Sequence, residues 1–201
     1  MSYHPFVFDE KERTFVGRFE EMYQNERTAG FDSWHQEDSR NLTRRLCLSL
    51  LDETNFASVL DVGCGKGAFT HRLKKQNNKV VGIDISPTAL EAARGRFNDI
   101  EFSAADLVHD LDALNRLGTF DLVVCLETLS YLENWRDVLE RFSQIASHCL
   151  VSLYIPENPI GFVKSADELA VEFGRRFAVV EDIRLLTRRQ TVLFGAARPL
   201  T

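Results

Sequence analysis

Long apolar runs are missing from this chain of 201 residues: no stretch approaches the roughly 18 apolar residues that a membrane-spanning helix requires. The opening Met-Ser-Tyr-His-Pro-Phe has no basic segment followed by an apolar core, so no export signal is read there and a cytoplasmic protein is expected. Cysteine is scarce. Cys47, Cys64, Cys125 and Cys149 lie far apart and form no C-x-x-C pair, which argues against a zinc knuckle or a disulfide framework and for reduced thiols. An excess of positive charge is missing as well, the formal net charge being −6. Residues 1–57 carry 7 Lys/Arg against 11 Asp/Glu, residues 58–160 carry 10 against 14, and residues 161–201 carry 7 against 5. Nucleic-acid binders usually spread positive charge over a broad face, so nucleic acid is not an expected partner. Arg175, Arg176, Arg184, Arg188 and Arg189 could still form a local basic patch. The length suits one domain, 1–201, able to bury about 70% of its unfolded surface.

What is present is concentrated in residues 58–69, Ser-Val-Leu-Asp-Val-Gly-Cys-Gly-Lys-Gly-Ala-Phe. Val59, Leu60 and Val62 read as a strand, Gly63, Gly65 and Gly67 as a tight turn, and Ala68 to Lys75 as the start of a helix. Glycines let a backbone approach a ligand closely and tolerate positive φ, so a nucleotide-like ligand is expected across the turn. The spacing also satisfies the dinucleotide pattern G-x-G-x-x-G/A. Asp61 argues against that reading, because a carboxylate two residues before the first glycine repels a pyrophosphate and attracts a cationic ligand. Lys79–Asp84 reads as a second buried strand, and its terminal Asp84 is placed to accept hydrogen bonds from both hydroxyls of a ribose.

Val-Leu-Asp-Val-Gly-Cys-Gly-Lys-Gly resembles the first motif of the class I S-adenosylmethionine-dependent methyltransferases, whose cofactor carries a sulfonium and an ammonium. Phe120-Asp-Leu-Val-Val-Cys125 is similar to a later motif of the family, and the likeness covers residues 58–198. It implies an α/β, Rossmann-like, seven-stranded sheet, mostly parallel with an antiparallel last strand and helices on both faces. It also implies S-adenosylmethionine as cofactor, with Ile85 against the adenine and Asp106, just past the third strand, accepting from the adenine amino group. Gly63, Cys64, Gly65, Leu107 and Cys125 join Asp61 and Asp84 in the expected cofactor lining, and the N-terminal segment, folding over the cofactor as a lid, brings Tyr23 and Trp34 to it.

Phe15, Phe19, Met22 and Tyr23 recur at helical spacing, which predicts a short amphipathic helix within residues 6–28. A second helix is expected from about Ser39 to Asp52, so that residues 1–57 form a helical lid and substrate segment and residues 58–201 the cofactor-binding core. Helices are expected at Ser86–Phe97 behind an N-cap serine, from Glu133 to about Ala146, and from Ala166 to about Arg175 with a Ser165/Glu168 capping box. The runs Phe177–Leu186 and Thr191–Ala197 are joined by four residues, too few for a parallel crossover, and so predict an antiparallel hairpin.

Methyl transfer from a sulfonium is an in-line displacement that needs alignment and exclusion of water more than a dedicated catalytic group. His35, Glu127 and Tyr131 are the candidates for orienting an acceptor or taking its proton. Glu127 with Glu157 and Asn158 could imitate the acidic metal set of some relatives, but their surroundings do not resemble those enzymes and no metal is expected. The acceptor is expected to be an O or N atom of a small metabolite, sugar or natural product. Segment Phe31-Asp-Ser-Trp-His-Gln-Glu-Asp is loosely similar to the entry segment of nodulation-type N-methyltransferases. The alternatives are a methyltransferase of RNA or protein, and a cofactor-binding module without catalysis.

Overall fold

The structure is a computed structural model describing residues 4–199. A two-stranded hairpin, β1 (Phe8–Asp9) and β2 (Thr14–Phe15), precedes α1 (Phe19–Ala29) and α2 (Leu42–Asp52). The short helix expected within residues 6–28 is α1, but Phe15, expected on its apolar side, lies in β2 instead. Asp9 decides the difference: its carboxylate accepts from the N–H groups of Lys11 and Glu12, a local turn that competes with helical hydrogen bonding. Arg13 then takes φ +52° and the chain doubles back to pair Phe8 with Phe15. Helix α2 begins three residues later than expected, where the Asn41 side chain caps the N–H of Arg44.

The core alternates strand and helix: β3 (Ser58–Val62), α3 (Ala68–Leu73), β4 (Lys79–Asp84), α4 (Pro87–Arg96), β5 (Glu101–Ala104), α5 (Ala113–Arg116), β6 (Phe120–Leu126), α6 (Trp135–Ile145), β7 (Ala146–Tyr154), α7 (Ala166–Arg176), β8 (Phe177–Leu185) and β9 (Gln190–Ala197). Seven strands form one sheet in the order β5-β4-β3-β6-β7-β9-β8. Only β9 runs antiparallel, slotted between β7 and β8, as the short hairpin connection demands. Serines cap two of the helices as expected, Ser86 accepting from Ala89 N–H and Ser165 from Glu168 N–H. The Glu168 carboxylate accepts from the N–H of Lys164, one residue beyond the Ser165 N–H that a full capping box would use.

Strand residues alternate between two apolar layers. Leu60, Val62, Ile83, Val123 and Cys125 pack against Trp135, Leu139 and Phe142 of α6 and Phe173 of α7. Val59, Val80, Leu122 and Val124 pack against Cys47, Leu73 and Leu90 of α2, α3 and α4. Helices thus cover both faces, which is why these strands read as near-continuous apolar runs. Because β4 and β6 lie on opposite sides of β3, the connections diverge at its carboxyl end and leave a crevice there. Among the described residues no helix is long and apolar enough to cross a membrane.

Candidate functional site

The crevice opens into a cavity of about 1040 Å³, lined by residues at the carboxyl ends of the parallel strands and by the N-terminal segment. Small-molecule sites usually occupy roughly 300–1,000 Å³. This one has room for two ligands side by side.

At its floor the chain turns through Gly63, Gly65 and Gly67 at φ +76°, +54° and +77°. A Cβ on Gly63 would stand 2.0 Å from Thr128 Oγ1, and one on Gly65 would stand 2.1 Å from Gln36 Nε2 and 2.8 Å from the Tyr23 hydroxyl. The turn therefore admits only glycine for two reasons, backbone conformation and close approach.

Five carboxylates line the cavity: Asp38, exposed at its rim beside Arg40, and four others in different environments. Asp84 accepts from Gly65 N–H at 2.8 Å and Ser86 N–H at 2.9 Å, so its orientation is fixed while acceptor capacity remains. Burial raises its pKa. Asp61 is 3% exposed and accepts from Thr70 Oγ1 at 2.6 Å; burial pushes its pKa up to about 7, the Thr70 bond opposing and Asp84 adding to the rise. Glu127 accepts from Ser152 Oγ at 2.5 Å, from Tyr154 N–H at 2.7 Å and from Gln190 Nε2, and burial raises its pKa too. Its backbone lies at φ +58°, a conformation that costs a non-glycine residue on the order of 1–3 kcal/mol and tends to persist where function needs it. Asp106 departs from this pattern. Burial opposes its ionisation, yet contacts with the His109 ring and with the N–H groups of His109 and Val108 hold it below the ordinary range.

The N-terminal segment forms the roof and is fastened by polar contacts. Lys66, inside the glycine turn, pairs with Glu26 at 2.8 Å and Asp32 at 3.0 Å. Burial works against the ammonium, but those two partners outweigh it and hold the Lys66 pKa above its usual value. Gln36 accepts from Lys66 N–H at 2.9 Å and donates to the Tyr23 hydroxyl at 3.1 Å. Glu20 accepts from Ser86 Oγ and Thr88 Oγ1, each at 2.5 Å, at the start of α4. Arg44 ties down residues 34–36 by donating to the carbonyls of Trp34, His35 and Gln36. Beneath this roof Phe8, Phe15, Phe19 and Trp34 surround the Tyr131 ring, their centroids 5.2 to 6.3 Å from it.

Of the residues expected at the cofactor, Asp61, Gly63, Cys64, Asp84, Ile85, Asp106, Leu107, Tyr23 and Trp34 all line the cavity. Ile85 is 45% exposed beside Asp84, an apolar side chain left open at a ligand-sized face. Gly65 lies under the roof, covered by Gln36 and Tyr23. Cys125 is a correction. Strand alternation turns its side chain into the α6 layer, fully buried and away from the cavity, while its neighbour Leu126 lines it. Among the candidates for handling the acceptor, Glu127 and Tyr131 stand together inside, whereas His35 is exposed at the rim with φ +48°. Burial raises the Tyr131 pKa, which keeps it a phenol. Glu157 pairs with Arg189 and Asn158 accepts from Arg13, so they do not join Glu127 in an acidic set.

Sequence reasoning missed Arg44, Lys66, Gln36, Ser152 and Gln190. Ser152 and Gln190 carried a signal, as polar residues on otherwise apolar strands; the contacts of Lys66 with the roof depend on pairings 30 or more residues apart, such as Lys66 with Gln36, and those of Arg44 on the loop folding back over 8 to 10 residues. The expected basic patch is largely neutralised: Arg175 pairs with Glu172, Arg176 with Glu140 and Glu172, Arg184 with Asp167 and Asp182, and Arg189 with Glu157.

A parallel sheet with a glycine turn, a carboxylate at the end of the neighbouring strand and a switch-point cavity defines a nucleotide-cofactor-binding α/β protein. A family model described as a methyltransferase domain matches residues 60–148. Nodulation protein S of Bradyrhizobium diazoefficiens is 29% identical over 150 residues, which is 73% of this chain and 64% of that protein. Ribosomal protein L11 methyltransferase of Burkholderia multivorans is 32% identical over 140 residues, 66% of this chain and 42% of that protein. The chain thus spans less than two thirds of the length of either relative. In three dimensions it is similar to N-methyltransferase NodS of Bradyrhizobium japonicum in complex with S-adenosyl-L-homocysteine, with a TM-score of 0.68 at 21% identity, over 89% of this chain and 98% of that one. Residues 60–148 thus match a methyltransferase domain, and the fold of the chain around them is similar to that of a methyltransferase holding S-adenosyl-L-homocysteine.

Proposed function

We propose that this chain, folded as one domain, binds S-adenosylmethionine and transfers its methyl group to an O or N atom of a small molecule in the cytoplasm. The observation that carries the reading is the enclosed cavity running from Asp84 and the glycine turn to an aromatic chamber roofed by residues 4–44. The residues suit the cofactor: Asp84 is held in place with acceptor capacity free for a ribose, Ile85 offers an open apolar face for an adenine, and Asp61 supplies negative charge near the turn for the ammonium. Asp106, already bonded to its own loop, would have to share its acceptors with the adenine amino group. The cofactor supplies a methyl group already activated on a sulfonium. The chain's share is to align the acceptor and keep water out, which the roof and the rings around Tyr131 are built to do. Relatives point the same way, nodulation protein S being a protein whose structural counterpart is named an N-methyltransferase. All four thiols are buried and unpaired, in keeping with a reducing compartment.

A protein or RNA acceptor is the second reading, favoured by the L11 methyltransferase relative. The closed roof and the ion-paired arginines weigh against it. Calorimetric titration with S-adenosylmethionine and, separately, with NAD tests the first step: saturable binding of the former alone is expected, and NAD binding in its place would overturn the reading. Retention on immobilised RNA that falls steeply with salt would shift the acceptor to the second reading.

A further inference from the structure

Among the cavity carboxylates, Asp38 is exposed at the rim and pairs with Arg40, and Glu127 is the interior one that no cofactor contact accounts for. Its three donors come from two strands beyond β6, Ser152 and Tyr154 on β7 and Gln190 on β9, so the group is built in rather than incidental. Ser152 and Gln190 bond Oε1 and Tyr154 N–H bonds Oε2; of about four acceptor positions on a carboxylate, one on Oε2 remains. The Glu127 charge reaches Tyr131, and the rings of Phe8, Phe15, Phe19 and Trp34 gathered around Tyr131 line the same cavity. A chamber with aromatic walls and a preorganised carboxylate matches a cation on an apolar body, since ring faces and the carboxylate both attract it. The other interior charges agree. Asp61 and Asp84 are negative or neutral, the Arg44 guanidinium is engaged with three backbone carbonyls, and burial favours the neutral form of His4; Arg40, paired with Asp38, and Arg188 line the cavity only as exposed residues.

We propose that Glu127 is the acceptor-binding carboxylate and that the acceptor is a small amine carried on an apolar body. The inference rests on the methyl-transfer reading above and names its substrate class. A carboxylate acceptor would be repelled by Asp84 and Glu127. An alcohol would gain one hydrogen bond but none of the charge attraction, and its proton is far too weakly acidic to pass to a carboxylate. An ammonium R–NH3+ gives one proton to Glu127 and becomes R–NH2. The nitrogen lone pair then forms the N–CH3 bond as the S–CH3 bond breaks and its electron pair returns to sulfur. The products are R–NH2CH3+, uncharged sulfide and protonated Glu127, which returns its proton to water when the product leaves.

The test is calorimetric titration of the protein, saturated with S-adenosylhomocysteine at pH 8, with 2-phenylethylamine, 2-phenylethanol and phenylacetate. The amine should bind at least tenfold more tightly than the alcohol, and the acid more weakly than either. In Glu127→Gln the amine should lose at least tenfold while the alcohol and S-adenosylhomocysteine bind as before. Equal or tighter binding of the alcohol or acid, no binding of any of the three, or an amine affinity untouched by Glu127→Gln overturns the assignment. If that variant does not fold, the ranking of the three probes on the unaltered protein decides alone. Failure of S-adenosylhomocysteine itself to bind overturns the methyl-transfer reading, and the amine assignment with it, whereas a reversed ranking with S-adenosylhomocysteine bound removes the amine assignment alone.

Discussion

The sheet core and the N-terminal roof are held by different forces. Around the sheet, Trp135, Phe142 and Phe173 are fully buried in apolar layers that draw on both faces of every central strand. The roof has an apolar cluster of six buried residues, but Val7, Phe8, Met22 and Tyr23 belong to the segment itself and only Ala89 and Ile160 come from elsewhere. Apart from the rings gathered around Tyr131 and the contact of Phe15 with Phe162, its ties to the core are polar: Lys66 to Glu26 and Asp32, Glu20 to Ser86 and Thr88, Arg96 to Glu37, Arg27 to Glu91. Apolar burial is lost all at once when packing opens, whereas exchanged ion pairs and hydrogen bonds have water as a ready substitute, so each contributes little net. A roof attached in this way is expected to lift while the sheet stays folded. Ligand entry needs that property.

Four measurements would break or sharpen the contrast. Trp135→Ala removes the largest fully buried side chain, and should lower global stability in urea by about 3–5 kcal/mol. A loss below about 1 kcal/mol would mean the apolar layers do not carry the core. Lys66→Met leaves Glu26 unpaired and buried, which in a rigid site costs about 3–5 kcal/mol. Here the cost is capped by the roof's ability to detach and rehydrate Glu26. The expected outcome is faster proteolysis within residues 29–41 with little change in the urea midpoint, and a midpoint drop as large as that of Trp135→Ala would contradict a separable roof. Asp84→Ala should weaken S-adenosylmethionine binding by about 1.5–3 kcal/mol, as loss of hydrogen bonds to a charged group does, without altering protease sensitivity.

The smallest effect concerns pH. Asp61 has a folded pKa near 7, above its unfolded value, so whatever stability it contributes is present at low pH and is lost as pH rises toward and through 7. Compared with Asp61→Asn, the ligand-free protein should therefore lose stability between about pH 4 and 7. A bound cation would favour the ionised form, so S-adenosylmethionine binding at pH 7 should release protons, seen as a calorimetric enthalpy that varies with buffer. Equal pH profiles for the two proteins would show that Asp61 is not held neutral by burial.

Much of the core was legible because its signals are local. Lys79–Asp84 carries its strand and its ribose-facing carboxylate in six consecutive residues, and Ser86-Pro87 announces α4 by itself. Phe15 was read into the helix because it keeps a helical spacing with Phe19 and Met22, which the turn at Asp9 overrides upstream of Gly17. Cys125 was misread because a motif names a position, while side-chain direction depends on strand parity and on which layer lies on each side. The acceptor end was visible only in part. Glu127 stood out, but nothing local ties it to Ser152, 25 residues away, or to Gln190, 63 residues away.

The roof also reverses the order of synthesis. Residues 4–44 leave the ribosome before any strand of the seven-stranded sheet, yet their anchors, Lys66, Ser86, Thr88, Glu91 and Arg96, are translated later and exist as a surface only once β3, β4 and α4 are in place. The nascent segment must wait, with Phe8, Phe15, Phe19 and Trp34 unsheltered, until the sheet beneath it has assembled. A segment translated ahead of its anchors can be seated only after them, and a chaperone that shields aromatic residues would find its opportunity there.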